Sequence, residues 1–372
     1  MKIEKIKYKI TSYIFVIFLV GMAAAIVILP KQNISRPERR KLAQKPEITM
    51  ENIKNESFMN DLESYLLDHF PSRQTLRKLK AYFAYNILGQ RENNDIYIAD
   101  GHASKLEYPL NEKSVERAAQ KMLSLQAKYF PDEEVYYAII PDKNYFLADK
   151  NGYPVINYQK MVEILSDKLL DFTYIDIFDT LTIEDYYFTD THWKQESLFD
   201  TAEKVSKQLG VFEKLDLDKN NFSVKEIKDF YGVYYGQSAL TLDADTIKYL
   251  TNEVIDGAKV WNIETQLTKP VYELDKLENP ESVDMYDIFL GGAAALQIIE
   301  NPNAIEKKEL IVFRDSYTSS LAPLLIEAYS KIILVDLRYI SSELIGDYVD
   351  FDGTQVLFLY NTSIINNSSM LK

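Results

Sequence analysis

A chain of 372 residues, 47% of them hydrophobic, is long enough for one large domain or two ordinary ones and can bury a substantial core. Its net charge of −14 argues against a nucleic-acid partner, because a protein that binds the phosphate backbone needs a basic face. Since the chain has no cysteine, disulfides, thiolate metal sites and cysteine nucleophiles are excluded.

The N-terminus has the pattern of a membrane anchor. Residues 1–9 carry four lysines, and the uncharged residues 10–30 are long enough to span a hydrocarbon core as a helix. A cleaved signal peptide would have a shorter apolar stretch, and here the small residues Ala23–Ala25 are followed by further apolar residues. Basic residues on both sides of the span leave its orientation undecided, but long domains are translocated largely regardless of flanking charge. We therefore predict a single-pass protein of the cell membrane, with a cytoplasmic tail at 1–9, a transmembrane anchor at 10–30 and an extracellular domain.

The rest of the chain has the pattern of one α/β domain after a linker. Residues 31–55 are polar and basic and are predicted to form the linker, so the domain is expected at 56–372. EVYYAIIP and FTYIDIFD are predicted to be short strands. Three later runs are short and continuously apolar, as is typical of strands buried on both faces: ELIVFRDS, SKIILVDL and TQVLFLYN. Helical patterns separate several of these runs, and this alternation predicts a parallel sheet. Residues 212–290 show no clear period and are predicted to be an insertion or a cap on the same domain.

The motif FTDTHW contains a candidate catalytic histidine. The chain has three histidines, and of these His69 is predicted at a helix end and His102 in a turn. His192 follows Asp190 by two residues, a separation that permits a hydrogen bond between the carboxylate and one ring nitrogen. The other nitrogen would then be free to accept a proton from a serine hydroxyl. By itself the motif also fits a buried structural histidine.

Ser316 is the candidate nucleophile. It follows the apolar run ELIVFRD and precedes a helix-like segment that contains Pro323. Reactive groups of α/β proteins lie beyond the carboxyl ends of the strands, and a helix N-terminus offers backbone N–H groups that can stabilise an oxyanion. A serine after a strand is common, and spacing cannot connect Ser316 with His192, so these residues alone do not establish a triad.

The combination of motifs resembles the family of SGNH-hydrolase-like proteins of alginate O-acetylation, and within it the Gram-positive branch called DHHW proteins. The similar segments span about residues 56–361 and include TDTHW, FRDSYTSSLAPLLIEAYSKIILVDLRYI, DHFPSRQTLRKLK, YYAIIPDKNYF and YDIFLGG. The resemblance implies a flavodoxin-like SGNH core with a parallel sheet. It also implies a triad of Asp190, His192 and Ser316.

Two positions depart from the family pattern. Thr191 stands where the branch has its second histidine, and Ala293 stands where relatives carry an asparagine after the paired glycines. If that asparagine donates to the oxyanion, this chain has lost one donor, and the backbone N–H groups of Gly292 or Ser316 are the remaining candidates. Loss of a single donor can cost about a hundredfold or more in rate.

The resemblance implies O-acetyl transfer onto a surface polysaccharide, either as an O-acetyltransferase or as an acetylesterase, with a membrane-bound O-acyltransferase as partner. It implies no cofactor, and three scattered histidines predict no metal site. An alternative is a non-catalytic glycan-binding or scaffold subunit of a polysaccharide modification or export complex, which Ala293 and the 27 tyrosines favour. A third alternative, a soluble lipase-like esterase, is disfavoured by the anchor and by the lack of a glycine-rich nucleophile elbow.

Overall fold

The computed structural model of the protein describes residues 2–55, 57–279 and 282–372. Two compact units are present: an N-terminal unit up to Asn94 that includes Tyr235–Thr241, and a sheet unit made of Asp95–Tyr234 and Leu242–Lys372. The first residue of the predicted tail, the predicted domain start at 56 and residues 280 and 281 of the predicted insertion lie outside the described residues. The predicted division into tail, anchor, linker and domain stays a prediction.

The N-terminal unit is mainly helical. Its elements are α1 (Lys2–Ile28), β1 (Ile34–Ser35), β2 (Arg40–Lys41), α2 (Met50–Lys54), α3 (Ser57–Asp68) and α4 (Arg73–Tyr82), and α4 continues as a π-helical turn, Phe83–Ile87. Within α1, Ile6–Ile28 is long and apolar enough to cross a membrane, and none of it is buried in the protein. A helix so close to the N-terminus also fits a signal sequence.

The sheet unit alternates strands and helices. Before the histidine motif it contains β3 (Ile96–Ala99), β4 (His102–Lys105), α5 (Glu112–Tyr129), β5 (Val135–Ile140), α6 (Lys143–Leu147), α7 (Tyr158–Lys168) and β6 (Thr173–Ile175). The motif is followed by α8 (Phe199–Gln208), β7 (Ser223–Phe230), α9 (Val233–Ser238, whose residues from Tyr235 onwards belong to the N-terminal unit), β8 (Asp245–Thr251), α10 (Glu253–Gly257), β9 (Lys259–Asn262), β10 (Leu267–Pro270) and α11 (Asp275–Glu278). The last elements are β11 (Leu296–Glu300), β12 (Glu309–Arg314), α12 (Thr318–Leu321), β13 (Lys331–Val335), β14 (Gln355–Asn361) and α13 (Thr362–Asn366).

One eight-stranded sheet dominates this unit, with strand order β10-β9-β11-β13-β12-β14-β5-β6. The five strands from β13 to β6 are parallel, whereas β9, β10 and β11 pair antiparallel. The predicted α/β fold with a parallel sheet is therefore confirmed. The three runs predicted as strands buried on both faces are β12, β13 and β14, and the two other predicted strands contain β5 and β6. The strands β13, β12, β14 and β5 are neighbours in the centre of the sheet. Residues 259–270, within the stretch predicted as an insertion or cap, form β9 and β10 and extend the sheet.

Both faces of the sheet are covered, which explains the continuous apolar runs. Along β12, Leu310 and Val312 belong to one core cluster, while Ile311 and Phe313 belong to the cluster on the opposite face. Side chains of a strand alternate between faces, so a strand buried on both sides needs an apolar residue at every position. The parallel strands consequently end together at one edge, where polar loops can converge.

Candidate active site

Ser316 lies at the carboxyl edge of the parallel strands, between β12 and α12. The preceding Asp315 is buried and accepts hydrogen bonds from the backbone N–H of Tyr317 (3.0 Å) and of Asn361 (2.6 Å). Burial raises the pKa of Asp315. These two contacts tie the serine turn to the end of β14, so the position of Ser316 is set by the sheet.

The helix expected after Ser316 is interrupted. The α-helical part, α12, has four residues, and from Ala322 to Ala328 the chain continues as a 3₁₀-helix with Pro323 in its first turn. Proline has no N–H and its ring clashes with the preceding turn, so it does not sit inside an α-helix. The helix dipole predicted to favour an oxyanion at Ser316 therefore comes from a single turn of α-helix.

Asp190, His192 and Ser316 form one continuous chain of hydrogen bonds. The Nδ1 atom of His192 lies 2.6 Å from Oδ1 of Asp190, and its Nε2 atom lies 2.8 Å from Oγ of Ser316. Asp190 is fully buried and His192 nearly so. Because the Asp190 carboxylate accepts, the proton is placed on Nδ1, which leaves Nε2 as a base facing the serine hydroxyl. The structure thus brings the three predicted residues together, while their catalytic role stays a prediction.

Residues of the stretch 212–290 hold the carboxylate of Asp190. Its Oδ2 atom accepts from the backbone N–H of Val233 at 2.8 Å, and Oδ1 also accepts from the His192 N–H at 3.0 Å. The side chain of Thr189 in turn accepts from the N–H of Gly232 at 2.8 Å. Together with Nδ1–H of His192, the backbone N–H groups of Val233 and His192 make three donors that fix the orientation of the buried carboxylate.

Gly232→Ala should disturb this loop, because a Cβ atom at position 232 would lie 2.3 Å from both the Asp190 Cα and the Thr189 carbonyl oxygen. Backbone atoms cannot move aside cheaply, so we expect a loss of about 1–3 kcal/mol in stability and a clear fall in the reactivity of Ser316. Thermal unfolding and the labelling of Ser316 described below would measure both effects. Gly257→Ala is the matched control, since its Cβ would meet only an amide nitrogen at 3.5 Å. Equal behaviour of the two variants would contradict the prediction.

Two tyrosines hold the His192 ring. The ring of Tyr286 stacks on it, with centroids 3.9 Å apart and planes 5° from parallel, and the ring of Tyr317 packs at 4.9 Å. The hydroxyl of Tyr286 donates to Oγ of Ser320 at 2.8 Å. Burial raises the pKa of both tyrosines well above the ordinary value, so the hydroxyls stay protonated. Neither tyrosine was predicted from the sequence, where no local pattern marks a ring that stacks on a histidine about a hundred residues away.

Trp193 connects the histidine motif to the serine turn. Its Nε1–H lies 2.9 Å from both the Tyr317 carbonyl oxygen and Oγ of Ser320. Trp193 is fully buried, so its indole N–H needs a partner. The motif therefore supplies the candidate base through His192 and a positioning contact for the serine turn through the next residue.

Thr191, which replaces the second histidine, belongs to a chain of hydroxyl groups. Its Oγ1 atom lies 3.0 Å from the hydroxyl of Tyr234 and 2.9 Å from that of Tyr317, and its carbonyl oxygen accepts from Tyr317 at 2.7 Å. A hydroxyl both donates and accepts, so the buried Tyr317 and the half-buried Thr191 and Tyr234 satisfy one another. The substitution leaves no unpaired polar group at this position.

Lys143 is a buried base close to the motif. It begins α6, and its Nζ atom donates to the carbonyl oxygens of Ala103 (2.8 Å) and Phe188 (3.3 Å). Phe188 precedes Asp190 by two residues. Burial lowers the pKa of Lys143 to about 7, and the charges of Asp190 and Asp245 act in the opposite direction.

Lys143→Met should make the stability of the protein less dependent on pH. The pKa of Lys143 is about 7 when folded and 10.5 ordinarily, so between these values the unfolded chain binds more protons. The cost of burying Lys143 is therefore fully present below pH 7 and disappears as the pH rises towards 10.5. Urea unfolding of the detergent-solubilised protein should show a contribution of about 1.4 kcal/mol per pH unit in this window that the variant lacks. The exposed Lys259→Met is the control, and equal slopes for the Lys143 variant and the parent would contradict the prediction.

The two predicted oxyanion donors differ in their surroundings. Within the described ranges, no acceptor pairs with the backbone N–H of Ser316. The N–H of Gly292 donates to the Phe289 carbonyl oxygen at 3.2 Å, within its own turn. Gly292 has a φ of +90°, and a Cβ there would lie 2.5 Å from an Asp287 carboxylate oxygen. In this conformation the Ser316 N–H is available, whereas that of Gly292 is occupied.

A cleft of about 640 Å³ lies near the same edge, lined in part by Glu107, Tyr108 and residues of α13, which directly follows β14. Burial raises the pKa of Glu107 to about 7, and Asp142 adds to this shift. Across residues 2–55, 57–279 and 282–372, no group of three His, Asp or Glu side chains is arranged to hold a metal ion.

Comparison with known proteins supports the resemblance that the motifs suggest. The family model described as DHHW protein matches residues 156–335, a range that includes Asp190, His192 and Ser316. No curated protein sequence is significantly similar to the chain.

Among solved structures, a DHHW family protein from Eubacterium siraeum has a TM-score of 0.61 and 19% identity, covering 75% of this chain and 95% of its own. PatB1 of Bacillus cereus, solved with a sulfonyl adduct, has a TM-score of 0.54 and 18% identity, with coverages of 73% and 95%. The O-acetyltransferase domain of AlgJ from Pseudomonas putida has a TM-score of 0.43 and 11% identity, with coverages of 73% and 92%. The predicted resemblance is thereby confirmed: residues 156–335 match the DHHW family model, and the chain shares its α/β fold with the first two of these solved structures.

Proposed function

We propose that the chain is a membrane-anchored, extracellular O-acyltransferase or acetylesterase that acts on a cell-surface polysaccharide through Ser316, His192 and Asp190. The observation that carries the proposal is the unbroken chain of hydrogen bonds from Asp190 through His192 to Ser316. A buried aspartate, a histidine with a free nitrogen and a serine at the edge of a parallel sheet are the parts that nucleophilic acyl transfer needs.

In the proposed reaction, Oγ of Ser316 attacks the carbonyl carbon of an acyl donor while Nε2 of His192 takes the hydroxyl proton. The negative charge that develops on the carbonyl oxygen is stabilised by the Ser316 backbone N–H. The intermediate collapses when His192 returns the proton to the leaving group, which leaves an acyl ester on Ser316. A sugar hydroxyl or water then gives its proton to His192, attacks this ester and releases the serine. Asp190 keeps the imidazole oriented throughout and stabilises its charged form.

Polysaccharide as the acceptor is supported by the resemblance to proteins of alginate O-acetylation. The cleft beside α13 offers a carboxyl group, amides and the exposed ring of Tyr108, a combination suited to a hydroxyl-rich sugar. We propose a membrane-bound O-acyltransferase as the partner that supplies the acyl group. For the localisation, α1 is the anchor, residues 1–9 are cytoplasmic and the chain from 31 onwards is outside.

Reaction with a sulfonyl fluoride tests the nucleophile without requiring the natural acyl donor. PatB1 has been solved with a sulfonyl adduct. In such a reaction the Ser316 oxygen would form a bond to sulfur, fluoride would leave, and His192 would take up the proton. We expect phenylmethylsulfonyl fluoride to add one sulfonyl group to the purified full chain, located at Ser316 by peptide mass spectrometry.

Ser316→Ala should abolish this labelling, and Ser319→Ala should retain it. Ser319 lies in the same segment, but its hydroxyl is within 3.3 Å of Arg314, away from the histidine chain. Labelling of another residue, or an unlabelled parent protein, would count against the triad.

A non-catalytic glycan-binding or scaffold subunit is the second candidate. It is favoured by Ala293, which has no side-chain donor, and by the Gly292 N–H, which is occupied within its own turn. For this function we expect no sulfonyl labelling, together with polysaccharide binding that Ser316→Ala leaves unchanged.

A further inference from the structure

The helix α4 and its π-helical continuation in the N-terminal unit present an apolar stripe to solvent. Leu76, Leu79, Phe83 and Ile87 recur at intervals of three and four residues, so they share one side of the helix. Their exposed fractions are 45%, 61%, 51% and 58%. We call these four residues the α4 stripe. Tyr82 and Leu88 beside it are also exposed.

The opposite side of the helix makes the contacts within the unit, and it is polar or small. Gln74 donates to Ser35 and Glu38, and Arg77 donates to the Gly236 carbonyl oxygen at 2.9 Å. Ala81 and Ala84 are buried. An amphipathic helix of a globular unit normally turns its apolar side inwards, so the orientation of α4 is the reverse of the usual one.

Neighbouring helices of the same unit add to the exposed apolar surface, through Ile48, Met50, Ile53, Met59, Leu66 and Leu67. Scattered apolar residues on a surface are normal, but a concentration on the helices of one small unit marks a surface that is covered in the working protein. The charge of the unit indicates what kind of surface covers it.

Residues 31–94, the part of the unit that follows α1, carry 12 lysines and arginines against eight acidic residues, whereas residues 95–372 carry 26 against 47. The N-terminal unit is therefore basic in a strongly acidic protein. On α4 itself, Lys80 is exposed beside the stripe, whereas the exposed Lys78 lies on the opposite side, next to Tyr235. An exposed apolar stripe with basic residues next to it is the pattern of a helix that lies in a membrane interface, where lysines meet anionic headgroups.

We propose that α4 lies along the surface of an anionic lipid bilayer, with the α4 stripe inserted among the headgroups. The membrane is a better occupant than a second copy of this chain, because two copies would bring two basic units together. A membrane also agrees with α1, which belongs to the same unit and has exposed apolar side chains. The inference rests on α1 entering the membrane and is independent of the proposed catalysis.

Site-specific quenching tests the proposal in the full chain. Because the chain has no cysteine, single cysteines can be introduced without removing any other. Leu79→Cys and Phe83→Cys probe the stripe, and Ile305→Cys, a fully exposed isoleucine in the sheet unit, is the matched control. Each variant would carry a bimane label and be reconstituted into vesicles of phosphatidylglycerol and phosphatidylcholine that contain lipid with a nitroxide on the headgroup. Aqueous iodide is the second quencher.

We expect quenching by the nitroxide lipid to be at least about three times as strong for the labels at 79 and 83 as for the label at 305. Quenching by iodide should show the opposite order. In vesicles without phosphatidylglycerol this difference should shrink, because the lysines lose their counter-charges. Labels at 79 and 83 that iodide reaches as easily as the label at 305 would overturn the proposal. Shielding from both quenchers would also overturn it, since a protein surface would then cover the stripe. Failure of α1 to insert into the bilayer is recognised separately in a vesicle flotation assay, because the protein would then not float with the vesicles.

Discussion

Ser316→Ala should reduce hydrolysis of p-nitrophenyl acetate by the purified protein to the background rate, and His192→Ala should lose about as much. The hydroxyl and the ring nitrogen are 2.8 Å apart and act in one step, so removing either disables the same transfer. We expect each single change to lower kcat/KM by about 10⁴-fold or more, and the double change to lower it little further.

This non-additivity distinguishes a catalytic pair from two structural residues. Independent contributions would multiply, so a double variant with the product of the two single losses would contradict a shared role. Ser319→Ala is the control for changes near the turn. Circular dichroism should show that the variants remain folded, since the half-buried Ser316 hydroxyl forms its hydrogen bond with His192 and not with the apolar core.

Asp190→Asn should lower kcat/KM by about 10⁴-fold, almost as much as Ser316→Ala, while leaving the fold intact. The buried carboxylate accepts from Nδ1 of His192 at 2.6 Å and so keeps the proton on that nitrogen. An asparagine can turn its NH₂ group towards Nδ1 and stabilise the other tautomer, in which Nε2 carries the proton and cannot act as a base. The loss should appear in kcat at saturating ester, because substrate binding does not involve this carboxylate.

Asp179→Asn is the control for this change. Asp179 is also an aspartate of the sheet unit, but it is exposed and paired with Lys204. We expect it to leave kcat unchanged. A loss of less than about tenfold for Asp190→Asn would show that the aspartate does not set the tautomer of His192.

Apolar patterns in the sequence were sufficient to predict the central strands. The runs that became β5, β12, β13 and β14 are apolar at nearly every position, which only strands buried on both faces require. A helix long enough to cross a membrane is likewise a matter of composition over a single segment. In such cases the residues that decide the structure are neighbours along the chain.

Candidate residues could be named from the sequence, but their association could not be derived from spacing. Scarcity of histidine and the adjacency of Asp190 directed attention to His192, and the strand before Ser316 placed that serine at a sheet edge. Resemblance to a known family was needed to connect them, because 124 residues separate His192 from Ser316. No periodic pattern operates over such a distance.

The amino-acid sequence by itself therefore determined the central strands, the apolar N-terminal helix and the separate candidates His192 and Ser316. Tertiary structure alone decided the contacts that make these residues a site: the ring of Tyr286 on His192, the hydroxyl chain through Thr191 and the N–H of Val233 on Asp190. It also decided which side of α4 faces outwards. The physical reason is that strand and helix patterns depend on residues a few positions apart, whereas these contacts join segments that only the folded sheet and its loops bring within hydrogen-bonding distance.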